Sequence, residues 1–485
     1  MLPGTISAYR EAGLPHQDLV RAAARFGTPV YVISMADVTA AAGRLEDVFG
    51  APWLRLYSLK ANDLPAITSF LHGRGWGASV VSTGEWQHAG AAGVPNESVA
   101  FEGLGKTDPQ LAFTVEEAAA GRPVRWLAIE SAQEAAVLAG LADDAGLGAG
   151  GRPPLDVLLR LNPEVAPETR PEFAVGARLS KFGMSQGEIL WLVQSPALSG
   201  PGLRLRGIHV HVGSDLNDVQ AFSSAGVRAA QLLAGLQVAR PEDRHWLDTI
   251  DFGGGFPLPV PGAPAPESFR DALVRALDRA GLELPPRPAI EPGRYLVGAA
   301  GWLVARVLHT RTAGDQAQQV VLDAGMTELI RPALYGSRHP VHLLCTVGPA
   351  ALGADDAQAH DARAHDAQVD DPRADAGQVH DAQAEAGLLA AGLLDTALEG
   401  PVCESTDTFG RHSLPPLHRG DLVAIGHAGA YAASFTSRYN GRPPPVEAVL
   451  WPGGILQRCH RPGPAEPSAR QAQILTPLAD SHPPR

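Results

Sequence analysis

Between residues 54 and 293 the chain alternates, eight times over, between a short aliphatic run and a stretch of helical periodicity. The runs are "LRLYSLKA" (54–61), "GASVVS" (77–82), "SVAFEG" (98–103), "WLAIES" (126–131), "DVLLRLNP" (156–163), "LRGIHVHVG" (205–213), "TIDFGGG" (249–255) and "PAIEPG" (288–293). Segments such as "ESAQEAAVLAGLADDAG" and "ESFRDALVRALDRAGL" lie between them. Strands alternating with helices build βα units and a parallel sheet. Eight such units in about 240 residues predict an α/β fold with a closed (β/α)8 TIM barrel rather than an open sheet.

Beyond about residue 296 the texture changes. "QQVVLDAG", "VHLLC", "DLVAIGHAG" and "VEAVLW" are strand-like runs separated by turns. They predict a C-terminal β-rich domain over 297–485, after a barrel over 36–296. The N-terminal segment 1–35 carries "TPVYVIS" (28–34), which is expected to join the β domain. Residues 350–386 repeat His-Asp-Ala with Gln and hold almost no apolar side chain larger than valine. Such a segment buries too little surface to offset its ordering entropy, so a disordered insertion is expected. Metal capture by His360, His365 and His380 is the weaker reading, because their spacing matches no established coordination pattern.

The net charge of −13 argues against a nucleic-acid footprint or an anionic membrane surface as partner. Three cysteines, Cys345, Cys403 and Cys459, are no disulfide framework and fit a reducing compartment. No basic-then-apolar leader opens the sequence and no apolar run approaches about 20 residues, so a cytoplasmic protein is expected.

Barrel enzymes carry their chemistry at the C-terminal ends of the strands. Lys60 closes the first run, "HVHVGS" the sixth, "DFGGGF" the seventh and "EPGR" the eighth, all on that one face. Gly253, Gly254 and Gly255 form a loop without Cβ atoms, where backbone N–H groups can approach an anion. With Arg294 ending the next run, a phosphate cradle is the better reading of that loop. Glu291 is a carboxylate at the barrel mouth, suited to keep a heteroaromatic nitrogen protonated. His209 and His211 are two apart on one strand, hence on one face. A metal pair would need further ligands that are not convincingly placed, so His211 is read as an imidazole stacking on a ring. "AFEGLGKTD" (100–108) has Ala100 where a P-loop needs glycine, and is rejected as a nucleotide site. An amine, a phosphate cradle, a carboxylate and a stacking imidazole together suit pyridoxal 5'-phosphate.

The ordered motifs "YSLKAN", "STGEW", "SKFG", "HVHVGS", "DFGGGF", "EPGR", "IRPALYG", "CES" and "GAY…YNGRP" resemble the fold-type III pyridoxal phosphate-dependent decarboxylases. The resemblance runs from about residue 28 to 450 and implies an alanine racemase-like barrel. It implies that Lys60 is the Schiff-base lysine. His211, Ser214, Gly254, Gly255, Glu291, Gly293, Arg294 and Tyr431 would bind the cofactor. Arg294, Arg331, Tyr335, Glu404 and Tyr431 would hold the substrate, and Cys403 would protonate the carbanion. Two arginines suit a distal carboxylate, and Glu404 suits a distal ammonium. The resemblance also implies a homodimer whose sites are shared, with Cys403 and Glu404 given by the neighbouring subunit. The activity it implies is decarboxylation of meso-2,6-diaminopimelate to L-lysine; the alternatives are another amino acid, free or carrier-bound, or an inactive regulator. Ser79, Arg170 and His427 depart from the family's usual Asp, His and Asp, at positions read as lying outside the site.

Overall fold

A computed structural model describes residues 15–165, 167–169, 176, 180–312, 317–345 and 392–461. The segment 350–386, with its three histidines, and Arg170 lie outside the described residues. After a first strand, β1 (Val30–Ser34), eight strands close a parallel barrel in chain order. They are β2 (Leu54–Ser58), β3 (Gly77–Val80), β4 (Val99–Phe101), β5 (Trp126–Ile129), β6 (Leu155–Leu161), β7 (Leu203–Val210), β8 (Thr249–Asp251) and β9 (Arg287–Ile290). Pairing of β9 with β2, Ala289 opposite Leu54, completes the ring. The closed barrel expected from the eightfold alternation is the observed one.

Serines set several of the surrounding helices. Ser82 accepts a hydrogen bond from the Glu85 N–H at 3.2 Å, and Ser131 does the same for Glu134 at 3.2 Å. Ser185 and Glu188 form a reciprocal capping box. Each cap satisfies a donor that the first helical turn would leave bare, so strand gives way to helix within a few residues.

Period-two alternation sorts the strand residues between two cores. Leu56, Ala100, Trp126, Leu158 and Ala289 pack together inside the barrel. Their neighbours Tyr57, Val99, Phe101, Leu127, Val157, Leu159 and Ile290 pack outward in the larger core shared with the helices. Extending that parity puts Ser79, Glu102, Arg160, His209, Asp251 and Glu291 on the inner side.

The strands that follow are β10 (Gly301–Thr312), β11 (Ala317–Leu322), β12 (Val341–Cys345), β13 (Leu394–Glu399), β14 (Thr408–Leu414), β15 (Leu422–Ile425), β16 (Val446–Trp451) and β17 (Ile455–Cys459). With β1 they form a mixed sheet in the order β14-β13-β11-β10-β1-β16-β17, in which β15 pairs with β10 and β12. The chain divides into two compact units. Of the described residues, the barrel unit takes those within 33–301, 428–434 and 449–461, and the other takes those within 15–32, 302–427 and 435–448. Among the described residues, no helix is long and apolar enough to cross a membrane.

Candidate active site

Strand β2 ends at Ser58, two residues earlier than the sequence suggests, and Lys60 sits on a single 3-10 turn, Leu59–Ala61. That turn is held from several directions. The Tyr431 N–H donates to the Ala61 carbonyl at 2.8 Å, and the Ser434 hydroxyl to the Lys60 carbonyl at 3.3 Å. The Tyr57 hydroxyl donates to the Asn62 carbonyl at 2.6 Å. Asn62 Nδ2 donates to the Gly429 carbonyl at 3.0 Å, while Asn62 Oδ1 accepts from Arg461 at 3.2 Å. Asp63 pairs with Arg461 and with His88. A long, flexible side chain thus stands on a rigid base, as a covalent anchor requires.

The glycine loop is tighter than its composition suggests. Gly253 N–H donates to Asp251 Oδ1 at 2.8 Å, and Gly254 N–H to His211 Nδ1 at 3.0 Å. Two of the three donors read as an anion cradle are therefore engaged within the protein. The second of these bonds makes Nδ1 of His211 an acceptor and leaves the proton on Nε2. Burial, then the charges of Lys60 and Arg160, push the His211 pKa well down, so its ring is neutral.

Arg294, buried, donates from Nη2 to the Ser214 hydroxyl at 2.9 Å, and its guanidinium carbon lies 5.0 Å from the centre of the Tyr431 ring. Gly293 presses on the lysine turn: a Cβ there would meet the Ala61 Cβ at 2.8 Å. These contacts draw Lys60, Gly293, Arg294, Ser214 and Tyr431 into one cluster.

Inside the barrel lies a group of carboxylates around one histidine. His209 Nε2 is 3.4 Å from Glu291 Oε2, and His209 Nδ1 is 3.5 Å from Glu102 Oε2. Glu102 Oε1 accepts from the Trp126 indole N–H at 3.0 Å. Burial alone would raise the Glu291 pKa, but His209, Lys60 and Ser79 lower it, so it is ionised. Burial raises Glu102, partly offset by His209, and burial with the neighbouring Glu291 charge raises Asp251 well above the usual carboxylate range. Glu291 Oε1 is buried and without a hydrogen-bond partner. Glu102, Asp251, Ser79 and Arg160 were missed in the sequence as site residues. Strand parity was the signal that places them inward. His209 and His211 serve different ends, one among carboxylates and the other against the glycine loop.

Arg331, Tyr335, Cys403 and Glu404 belong to the other unit. Arg331 is buried and opens the short helix Arg331–Tyr335, its guanidinium carbon 6.0 Å from the Tyr335 ring centre. Cys403 and Glu404 are exposed side by side. Their loop is fixed by buried Asp407, whose Oδ1 accepts from the Met326 N–H at 2.6 Å and whose Oδ2 accepts from the Val402 N–H at 2.7 Å. Glu404 Oε1 accepts from the Tyr439 hydroxyl at 2.5 Å.

Residues 35–298 match the family model described as the pyridoxal binding domain of pyridoxal-dependent decarboxylases. A diaminopimelate decarboxylase of Zymomonas mobilis is 31% identical over 437 residues, covering 88% of this chain and 89% of that protein. One of Deinococcus radiodurans is 32% identical over 450 residues, covering 92% and 96%. Among solved structures, diaminopimelate decarboxylase from Helicobacter pylori complexed with L-lysine superposes with a TM-score of 0.73 at 26% identity, covering 90% of this chain and 95% of that one.

Proposed function

This chain belongs to the pyridoxal-dependent decarboxylases, and from that premise we propose that it converts meso-2,6-diaminopimelate to L-lysine and carbon dioxide, the last step of lysine biosynthesis. The observation that carries the reading is a buried, ionised carboxylate, Glu291, with one oxygen unpartnered, under the influence of the Lys60 ammonium at the barrel mouth.

The residues fit pyridoxal 5'-phosphate. Lys60 supplies the amine that would hold it covalently, and Glu291 the anion that would keep its ring nitrogen protonated. The neutral His211 ring offers a flat face, held there by the Gly254 N–H, while Ser214, Arg294 and Gly255 suit its phosphate. Gly293 lets the backbone of the "EPGR" turn sit against the lysine turn without a Cβ in the way. When bound, the cofactor supplies an electron sink for the charge left as carbon dioxide departs.

Arg294 and Arg331 suit the distal carboxylate of the substrate, Glu404 its distal ammonium, and Tyr335 and Tyr431 its flanks. The Cys403 thiol would return a proton to the carbon that lost carbon dioxide. Exposure of Cys403 and Glu404 on a fixed loop supports a homodimer in which each copy lends this pair to the other's site. The test is to supply purified protein with pyridoxal 5'-phosphate and meso-2,6-diaminopimelate. Carbon dioxide and L-lysine are expected in equal amounts. Release from another amino acid but not from this one would refute the substrate assignment.

A further inference from the structure

Both ring nitrogens of buried His209 face carboxylates, Nδ1 toward Glu102 at 3.5 Å and Nε2 toward Glu291 at 3.4 Å. A neutral imidazole carries a proton on one nitrogen and a lone pair on the other. In this position the lone pair would confront a carboxylate oxygen, whichever tautomer formed. Only the imidazolium turns a protonated nitrogen to each side, hydrogen-bonded toward Glu291 and ion-paired without a hydrogen bond toward Glu102. We propose that His209 is a positioning residue of the reaction: as a buried imidazolium clamped between Glu102 and Glu291, it holds the Glu291 carboxylate ionised and fixed in place for the cofactor's ring nitrogen. The proposal rests on the pyridoxal phosphate reading above.

The surrounding groups agree. Burial favours neutral His209, yet Glu102 and Glu291 outweigh it and its pKa is pushed up to about 9. Arg160, from β6, opposes the charge, but its guanidinium is paired with Glu130. His211, two residues on, is neutral and adds no repulsion. Asp251, at the end of β8, shifts upward, through burial first and then the Glu291 charge, and the carboxylates within ion-pair distance of the His209 ring nitrogens are Glu102 and Glu291. Burial pushes Glu102 upward, and the His209 charge, the Trp126 indole on Oε1 and the charge of Lys106 work against that push. A chain therefore runs Trp126–Glu102–His209–Glu291, from the filled centre of the barrel to its catalytic mouth. Without His209, Glu291 keeps the Lys60 charge and the Ser79 hydrogen bond against burial, which drives it to take up a proton.

Two measurements test this, one of them without cofactor. In protein stripped of cofactor and labelled with 15N-histidine, near-neutral pH should show an imidazole protonated on both nitrogens, a signal absent from His209→Gln. A His209 protonated on one nitrogen only overturns the proposal. In loaded protein, the pH midpoint of the cofactor's visible absorption band should move by about one unit or more in His209→Gln and in Glu102→Gln. An unmoved midpoint in both overturns it as well. If His209→Gln fails to fold, the near-isosteric Glu102→Gln carries the absorbance arm. If wild-type protein shows no cofactor band, the pyridoxal phosphate reading has failed and the role falls with it, while the 15N spectrum still reports separately whether His209 is charged.

Discussion

Replacing Gly254 by alanine adds one methyl group at the most crowded point of the glycine loop. Its φ lies outside the left-handed region, so the penalty is steric and not conformational. The new Cβ would stand 2.4 Å from the Glu291 carbonyl oxygen, a backbone atom that no rotamer change can move aside. An ordinary carbon–oxygen contact is about 3.4 Å, so one backbone segment must yield by about 1 Å. Overpacking of this kind costs about 1–3 kcal/mol. The shift also strains the Gly254–His211 bond at 3.0 Å and the bond from the Glu291 N–H to the Gly253 carbonyl at 2.9 Å. At about 1 kcal/mol each, those bonds bring the loss to about 3–5 kcal/mol. Melting of the cofactor-free protein, followed by circular dichroism, should fall by about 10 °C for a unit of this size. Gly43→Ala is the control, since its helix leaves nothing within 4 Å of the added Cβ. It should gain about 0.5–1 kcal/mol. If Gly254→Ala melts with the wild type, the close approach of these two backbone segments is refuted.

Cys403→Ala should lower turnover by about 100-fold or more at an unchanged melting temperature, because the thiol is exposed; equal loss of both would point to a packing role. Mixing Lys60→Ala with Cys403→Ala protein should restore activity that neither has alone, and an inert mixture would refute shared sites. Asp407→Ala removes the acceptor of two backbone donors and should cost about 2–5 kcal/mol, with turnover falling as the Cys403 loop loosens; a melting temperature equal to wild type would refute this account. Burial raises Glu447 to about 7 from 4.5, so the folded state holds its proton more tightly than the unfolded chain. The associated stability is full below about pH 4.5 and is lost as pH rises through about 7, to a limit of about 3 kcal/mol. Glu447→Gln should therefore melt like wild type in acid and above it in base, and equal melting at both ends would refute the shift.

The barrel was legible because its signal is repeated and local: eight aliphatic runs, each announced by turn residues. The lysine, the glycine loop and "EPGR" were legible because each sits next to a strand end. What escaped was the distribution of roles across strands. Glu102 is one residue of a segment weighed as a P-loop, and it meets His209 over a separation no local pattern encodes. Ser79 looked like a neutral departure, whereas its inward parity brings it to Glu291. Gly254 read as an anion donor, while its N–H is engaged by His211. Asp407 was invisible as an organiser of the "CES" loop, since its work is to accept from backbone groups that carry no side-chain identity.

The lysine turn has an implication for how the enzyme is made. Its supports arrive late in the chain: Gly429, Tyr431 and Ser434, then Arg461, some 367 to 399 residues after Asn62. At about 5–20 residues per second, about 20–80 s of translation separate Lys60 from its supports. A nascent barrel can therefore close its hydrogen-bonded ring well before Lys60 is set. The turn carrying Lys60 therefore gains its contacts with Gly429, Tyr431, Ser434 and Arg461 only after all eight barrel strands have been made.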